Sequence, residues 1–230
     1  MIKFYYNTAP NPMKVALALE EMGLSYEPVP VDSRKGEQHT DAFRKINPNA
    51  KVPVIDDDGT VVFDSNAILL WLGDKTGKFV PTDTASGARA EMLSWLMFIA
   101  TGIGPFSGQA VHFRTAAPEP KEYALNRYDF EANRHWQIIE DRLATHRYML
   151  GDEYSIVDMA LWGWARMAPF VTADDQLWTR MPNLKRFMDE VGARPAVAKV
   201  AELAKAHTFK AEMDDEAKKA MFPANSRLKS

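Results

Sequence analysis

The chain has 230 residues, 46% of them apolar and 26% charged, enough to bury one large core or two modest ones. A formal net charge of −3 with no basic stripe argues against nucleic-acid binding driven by counterion release. There is no cysteine, which excludes a protein disulfide, a Cys-x-x-Cys redox pair, a cysteine-rich zinc site and a cysteine nucleophile; thiol chemistry would have to use a thiol brought by a ligand.

The N-terminus lacks a basic segment leading into a long apolar stretch, and the weakly polar run 93–106 is broken by glycines and a proline. No membrane span or secretion signal is expected, and the default location is the cytoplasm. The first eighty residues alternate strand-like and helix-like segments: strand 2–6, helix 12–22, strand 26–31, helix 38–45, strands 52–56 and 61–63, and helix 65–76. That order reads as βαβ followed by αββα. Val15, Leu19 and Met22 share one face of the first helix, Pro12 suits its first turn, and Gly23 is placed to end it. Asp58-Gly59 marks a hairpin turn between two β-rich runs.

Beyond Pro81 the pattern is helical: 85–101, 122–144, 156–166, 182–192 and 195–205. Ala132, Trp136, Ile139 and Leu143 recur at helical spacing and read as core. In Tyr154-Ser155-Ile156-Val157-Asp158-Met159, Ser155 can cap a helix and Asp158 can return the bond, with Tyr154 packing on Met159, a folding device rather than a catalytic one. The expected division is a βα domain over 1–80, an all-helical domain over 85–205, and a tail, 206–230. The tail carries Phe209, Met213, Met221 and Phe222, so it can dock on the body or over a cleft, or fray.

Three features of the first half can form a site, each with a structural alternative. Pro53 opens a strand after Val52. A cis bond there would turn the Val52 main chain outward to pair with a peptide-like ligand, whereas a trans proline would only begin an edge strand. Asp64-Ser65 stands at the start of a helix, where free N–H groups and the dipole attract a carboxylate; Asp64 adds a charge for an ammonium, or Ser65 is merely the N-cap. The loop Asn7-Thr8-Ala9-Pro10-Asn11 presents polar donors at another helix N-terminus, which could ionise a bound thiol or simply cap the helix.

These features occur in the order and spacing of the glutathione transferase family, and the Ser155/Asp158 box falls where that family has one. The resemblance covers nearly the whole chain. It is strongest to the bacterial Nu class, related to the yeast prion-forming nitrogen regulator, through Pro10-Asn11, Lys35-Gly36 with Gln38, Ile46-x-Pro48-Asn49-x-Lys51-Val52-Pro53, and Gly102-Ile103-Gly104-Pro105-x-x-Gly108-Gln109-x-x-His112-Phe113. The resemblance implies a thioredoxin-like N-terminal domain, an all-α C-terminal domain, a cis Pro53, and a homodimer with one or two glutathione molecules per subunit and no metal. It implies a glutathione site at Gln38, Lys51, Val52, Pro53, Asp64, Ser65 and Arg127, and a thiolate stabilised by Asn11 or Thr8. The class commonly reads Thr-Pro-Asn in the first loop; here the threonine is displaced by one residue. Tyr5 and Tyr6 are rivals for the thiolate but read better as packing. Phe106, His112, Phe113 and Trp164, with Met97 and Met167, are candidates for a second-substrate pocket. The implied reactions are conjugation to a small electrophile and reduction of a disulfide; the alternative is a protein-binding module that has lost catalysis.

Overall fold

The computed structural model describes residues 1–119 and 121–227. Strands β1 (Ile2–Tyr6), β2 (Tyr26–Pro30), β3 (Val54–Asp57) and β4 (Thr60–Phe63) form one sheet in the order β2-β1-β3-β4. β1 and β2 are parallel, with Ile2 opposite Tyr26, and helix α1 (Pro10–Met22) is their crossover. The other two pairings are antiparallel, with Phe4 opposite Ile55 and Ile55 opposite Val62. A 3₁₀ turn (Glu37–His39) and α2 (Asp41–Ile46) lead into β3, and α3 (Ser65–Thr76) follows β4. This is the expected thioredoxin-like arrangement. Ile2, Phe4 and Tyr6 alternate onto a buried face. Asp58 and Gly59 both take positive φ, 50° and 94°, and the Asp56 carboxylate accepts from Gly59 N–H at 2.8 Å, which closes the hairpin.

The remainder is helical. α4 (Gly87–Phe98) runs through a π turn (Ile99–Ile103) into α5 (Gly104–Thr115). Then come α6 (Glu122–Thr145), α7 (Ile156–Ala165), the short α8 (Ala168–Thr172) and α9 (Leu177–Arg180), α10 (Pro182–Gly192), α11 (Pro195–Ala206) and α12 (Asp215–Met221), closed by a 3₁₀ turn (Pro223–Arg227). α1 is buried on every side from Pro12 to Leu19, because it is clasped between α3 and the sheet on one flank and α7 and α11 on the other. Gly163 permits that clasp: a Cβ there would stand 2.6 Å from the Pro10 carbonyl oxygen and 2.9 Å from Lys14 Cβ. One continuous core results, running from Phe4 and Leu17 to Trp136 and Phe187.

Ser155 Oγ accepts from Val157 N–H at 3.2 Å while Ser155 N–H donates to Asp158 Oδ2 at 2.8 Å, completing the anticipated capping box. Asp158 is fully buried and also takes Met149 N–H at 2.8 Å; its burial lifts its pKa to about 6. Tyr154 sets its ring edge-on to Phe79 and Tyr148.

Several boundaries differ from the sequence reading. α1 starts at Pro10, not residue 12, because proline fits the first helical position and Ala9, with extended backbone, occupies the N-cap position. Pro53 precedes β3 rather than lying in it, and β3 is an interior strand. α5 was not expected from its glycine- and proline-rich start. It is held by packing against α6 and α8 rather than by any strong apolar stripe of its own.

Candidate functional site

A cleft of about 810 Å³ opens between the sheet half and the helices. That is the size of a small-molecule site. Its walls come from the start of α1 (Asn11, Lys14), the β3 approach (Lys51, Val52), the start of α3 (Asp64, Ser65, Asn66), Trp164 and α5.

The Val52–Pro53 peptide bond is cis, and Val52 lines the cleft with Lys51, whose carbonyl accepts from Asn47 Nδ2 at 2.6 Å; Pro53 lies behind them, buried. At α3, the cap is Asp64, not Ser65. Asp64 sits at φ 71°, ψ 124°, and its Oδ1 accepts from the N–H groups of Asn66 at 2.9 Å and Ala67 at 3.2 Å. Such a backbone is costly for a residue with a Cβ and is held by the bonds that Asp64 makes. Ser65, relieved of capping, is the first residue of the helix, is 4% exposed, and lines the cleft.

At α1 the first turn contains Pro10 and Pro12, which have no N–H, and Ala9 N–H is taken by Asn7 Oδ1 at 3.1 Å. Asn11 is therefore the one residue of the first turn with a main-chain N–H to offer. Its side chain is also fixed: Trp164 Nε1 donates to Asn11 Oδ1 at 2.9 Å. Indole nitrogen is a donor only, so the oxygen of the amide must face it, and Nδ2 remains as the outward donor. Thr8 is exposed and lies outside the cleft lining, while Asn7 and Ala9 line it; the one-residue displacement has carried the hydroxyl away.

α5 presents Gly104, Gly108 and His112 at intervals of four, a single stripe on the cleft side. The glycines of the long motif make room. A Cβ on Gly102 would stand 2.4 Å from the His135 ring, which is sandwiched between Phe98 and Phe106, and one on Gly104 would lie 3.3 Å from the Trp164 indole nitrogen. His112 stacks edge-on to Phe222 at 4.6 Å, and burial lowers its pKa.

Not all anticipated residues arrive. Arg127 is turned away, its side chain 54% exposed and paired at 3.0 Å with Glu131 Oε1 one turn along α6. Phe106 packs on His135, Phe113 stacks on Tyr128 at 5.3 Å, and Met97 and Met167 are exposed, so none of these four lines the cleft. Tyr5 joins the small cluster around Phe43, and Tyr6 is buried with its hydroxyl 2.8 Å from His207 Nδ1, so both tyrosines pack rather than face the cleft.

The sequence leaves the tail three courses, to dock on the body, to cover a cleft or to fray. It is docked across the cleft. Asp32 Oδ2 accepts from Lys210 N–H at 2.7 Å, Arg34 donates to the carbonyls of Lys210 and Ala211 at 2.7 and 2.9 Å, and His39 Nε2 meets the Ala220 carbonyl at 2.8 Å. On the far side Asn225 Nδ2 reaches the Ala116 carbonyl at 3.4 Å, and Met221, Phe222 and Pro223 form the outer wall. Residues 228–230 of the anticipated tail lie outside the described residues. Gln38 lines the cleft beneath this strap, with Nε2 on the Ser33 carbonyl at 3.2 Å and Oε1 buried without a partner among the described residues. Among the described residues no cluster of three or more His, Asp or Glu could hold a metal ion, and no helix is long and apolar enough to cross a membrane.

Comparison with known proteins agrees with this architecture. Residues 8–75 match the model of the glutathione S-transferase N-terminal domain and residues 97–195 that of the C-terminal domain. The disulfide-bond oxidoreductase YfcG of Escherichia coli is 35% identical, over 94% of this chain and 98% of its own. The glutathione transferase URE2P6 of Phanerochaete chrysosporium, solved with oxidized glutathione, superposes with a TM-score of 0.83 at 31% identity, covering 89% of this chain and 96% of that one. A glutathione transferase of Burkholderia graminis, solved with two glutathione molecules per subunit, gives 0.80 at 35% identity, covering 90% and 89%. The chain therefore belongs to the glutathione S-transferase family.

Proposed function

We propose that the protein is a glutathione-dependent disulfide reductase of the Nu class, using the thiol of glutathione bound in the cleft between sheet and helices. The observation that carries this reading is the convergence of Val52, Asp64, Ser65 and Asn11 on one cleft in a chain that has no thiol of its own. The YfcG comparison supports the reaction class.

In this reading the Val52 main chain pairs with the cysteinyl unit as an added strand. Asp64 meets the γ-glutamyl ammonium, and Ser65 with the start of α3 meets its carboxylate. Gln38 faces the glycyl end, where its unpartnered Oε1 is an acceptor for an amide N–H. Asn11 acts on the sulfur through its main-chain N–H and Nδ2, lowering the thiol pKa from its usual value of about 8.5. The thiolate attacks one sulfur of a disulfide RSSR, forming a mixed disulfide and releasing RS⁻, which takes a proton. A second glutathione thiolate then attacks the mixed disulfide, giving glutathione disulfide and a second RSH. Two glutathione molecules are oxidised as one disulfide is reduced.

The residues at 1–80 and 85–205 act as the two domains that enclose this site. A homodimer is supported by exposed Val61 and Phe63 on the sheet-edge strand β4, Trp71 on α3 and Met97 on α4, apolar side chains that a partner would cover.

The test is turnover of 2-hydroxyethyl disulfide with glutathione, run beside conjugation of 1-chloro-2,4-dinitrobenzene. Disulfide reduction well above the uncatalysed rate is expected. A disulfide rate equal to background with measurable conjugation would replace the reductase reading with a conjugating one, and failure of both would leave a binding module.

A further inference from the structure

Among the described residues Lys14 is the one lysine sealed inside the protein, 1% exposed, on the buried helix α1. Its Nζ donates to Asn66 Oδ1 at 2.8 Å, and among the described residues no ion pair to it is formed, Asp64 acting on it only from a distance. A buried ammonium without a counter-ion is costly, and proteins usually pair or neutralise such a group. Here the lysine is nevertheless among the residues that line the cleft, behind the first turn of α3. Gly163 shapes this position from the other flank, where any larger residue would collide with the Lys14 stem.

The titratable groups on the elements around α1 do not supply the missing partner. Asp64, capping α3, is the acidic group whose charge acts on Lys14, and its Oδ1 is occupied by two main-chain N–H groups. Asp158 of α7 is bound to Met149 and Ser155, Tyr6 of β1 to His207, and Glu20 and Glu21 at the far end of α1 to Lys199 and Arg194. His112 lies on α5 across the cleft.

We infer that Lys14 is an unpaired counter-charge completed by the ligand: the γ-glutamyl carboxylate seated at Ser65 and Asn66 brings the anion, and Lys14 takes up a proton as it binds. This rests on the glutathione reading of the cleft. In the free protein, desolvation lowers the Lys14 pKa to about 7, so near neutral pH a large part of the population holds a neutral amine. A carboxylate beside it restores the ammonium, consuming one proton from buffer for each amine converted. Binding is then tighter at lower pH in the neutral range, the reverse of what release of the glutathione thiol proton would give.

The experiment is calorimetric titration of the full chain with S-methylglutathione, which has no titrating thiol, at pH 7.5 in buffers of differing ionisation enthalpy. The expected result is net uptake of about 0.7 proton per ligand bound, with affinity falling several-fold, at most about tenfold, from pH 7 to pH 8. His112, whose pKa lies below the usual 6.5, contributes little there, and His112→Asn should leave the uptake unchanged. Lys14→Arg, charged throughout, should bind with no uptake, and Lys14→Met should bind more weakly with no uptake. Binding by the wild type without proton uptake overturns the role of Lys14 while leaving the glutathione site intact. Absence of binding overturns both. The wild-type measurement decides even if neither Lys14 variant folds.

Discussion

Trp164 Nε1 donates to Asn11 Oδ1 at 2.9 Å, tying α7 to the first turn of α1 across the junction of sheet and helices. A residue that reads as pocket wall in the sequence is thus the group that orients the Asn11 amide, the donor we propose for the sulfur. Asn11→Ala should raise the pKa of the bound glutathione thiol by about one unit, since one of two donors is lost and the main-chain N–H survives. Trp164→Phe should raise it less, because Asn11 stays but is free to flip. Thiolate absorbance against pH measures both; an unchanged pKa in Asn11→Ala would remove Asn11 from the sulfur.

The tail spans the cleft from Arg34 to Ala116, so ligand exchange should depend on it. Arg34→Ala removes two bonds to the strap, and Phe222→Ala removes its contact with His112. Each should speed dissociation of glutathione about threefold to tenfold by stopped-flow with modest change in melting temperature. Rates unchanged from the wild type in both variants would mean that ligand leaves by another route.

Gly163→Ala should destabilise the protein by roughly 2 kcal/mol or more in urea unfolding, because its methyl would meet the rigid Pro10 carbonyl and not a flexible side chain. Gly108→Ala, with its nearest neighbour at 3.9 Å, should be close to neutral. Similar losses in the two would contradict the close approach of α1 and α7.

Lys14 also makes stability depend on pH. Its pKa falls from 10.5 in the unfolded chain to about 7 in the folded one, so the unfolded state binds more protons between those values and stability rises with pH across that window. Below about pH 7 the cost is complete. Relative to Lys14→Met, the wild type should lose stability as pH falls from 10 to 7, on the order of 3 kcal/mol in all, and then level off. A pH-independent difference in denaturant unfolding would contradict this.

Much of the architecture was legible because it rests on local signals. The Asp58-Gly59 turn, the Gly23 cap at φ 71°, and the Ser155/Asp158 box each fold as their chemistry dictates. What was hidden depends on contacts between distant segments. α5 begins Gly104-Pro105, a loop signal in isolation; the glycines instead admit His135 and Trp164. Arg127 is a ligand residue only by the family resemblance, and Glu131 one turn away claims it. In the sequence Ser65 is the residue that reads as the cap, but the Asp64 backbone, at positive φ, swings its own carboxylate over the helix end. The tail gave no periodic signal, and its role comes from Asp32, Arg34 and His39 in the sheet half.

The central claim is that the γ-glutamyl end of glutathione sits on Asp64 and Ser65 at the start of α3. Calorimetric titration with reduced and with oxidised glutathione, repeated on Ser65→Ala, addresses it most directly. The wild type should bind at least one of the two ligands with sub-millimolar affinity, and Ser65→Ala about tenfold or more weakly, the loss of roughly 1.4 kcal/mol expected of a hydrogen bond to a charged group. No heat from either ligand at millimolar concentration, or equal affinity in the variant, would contradict it.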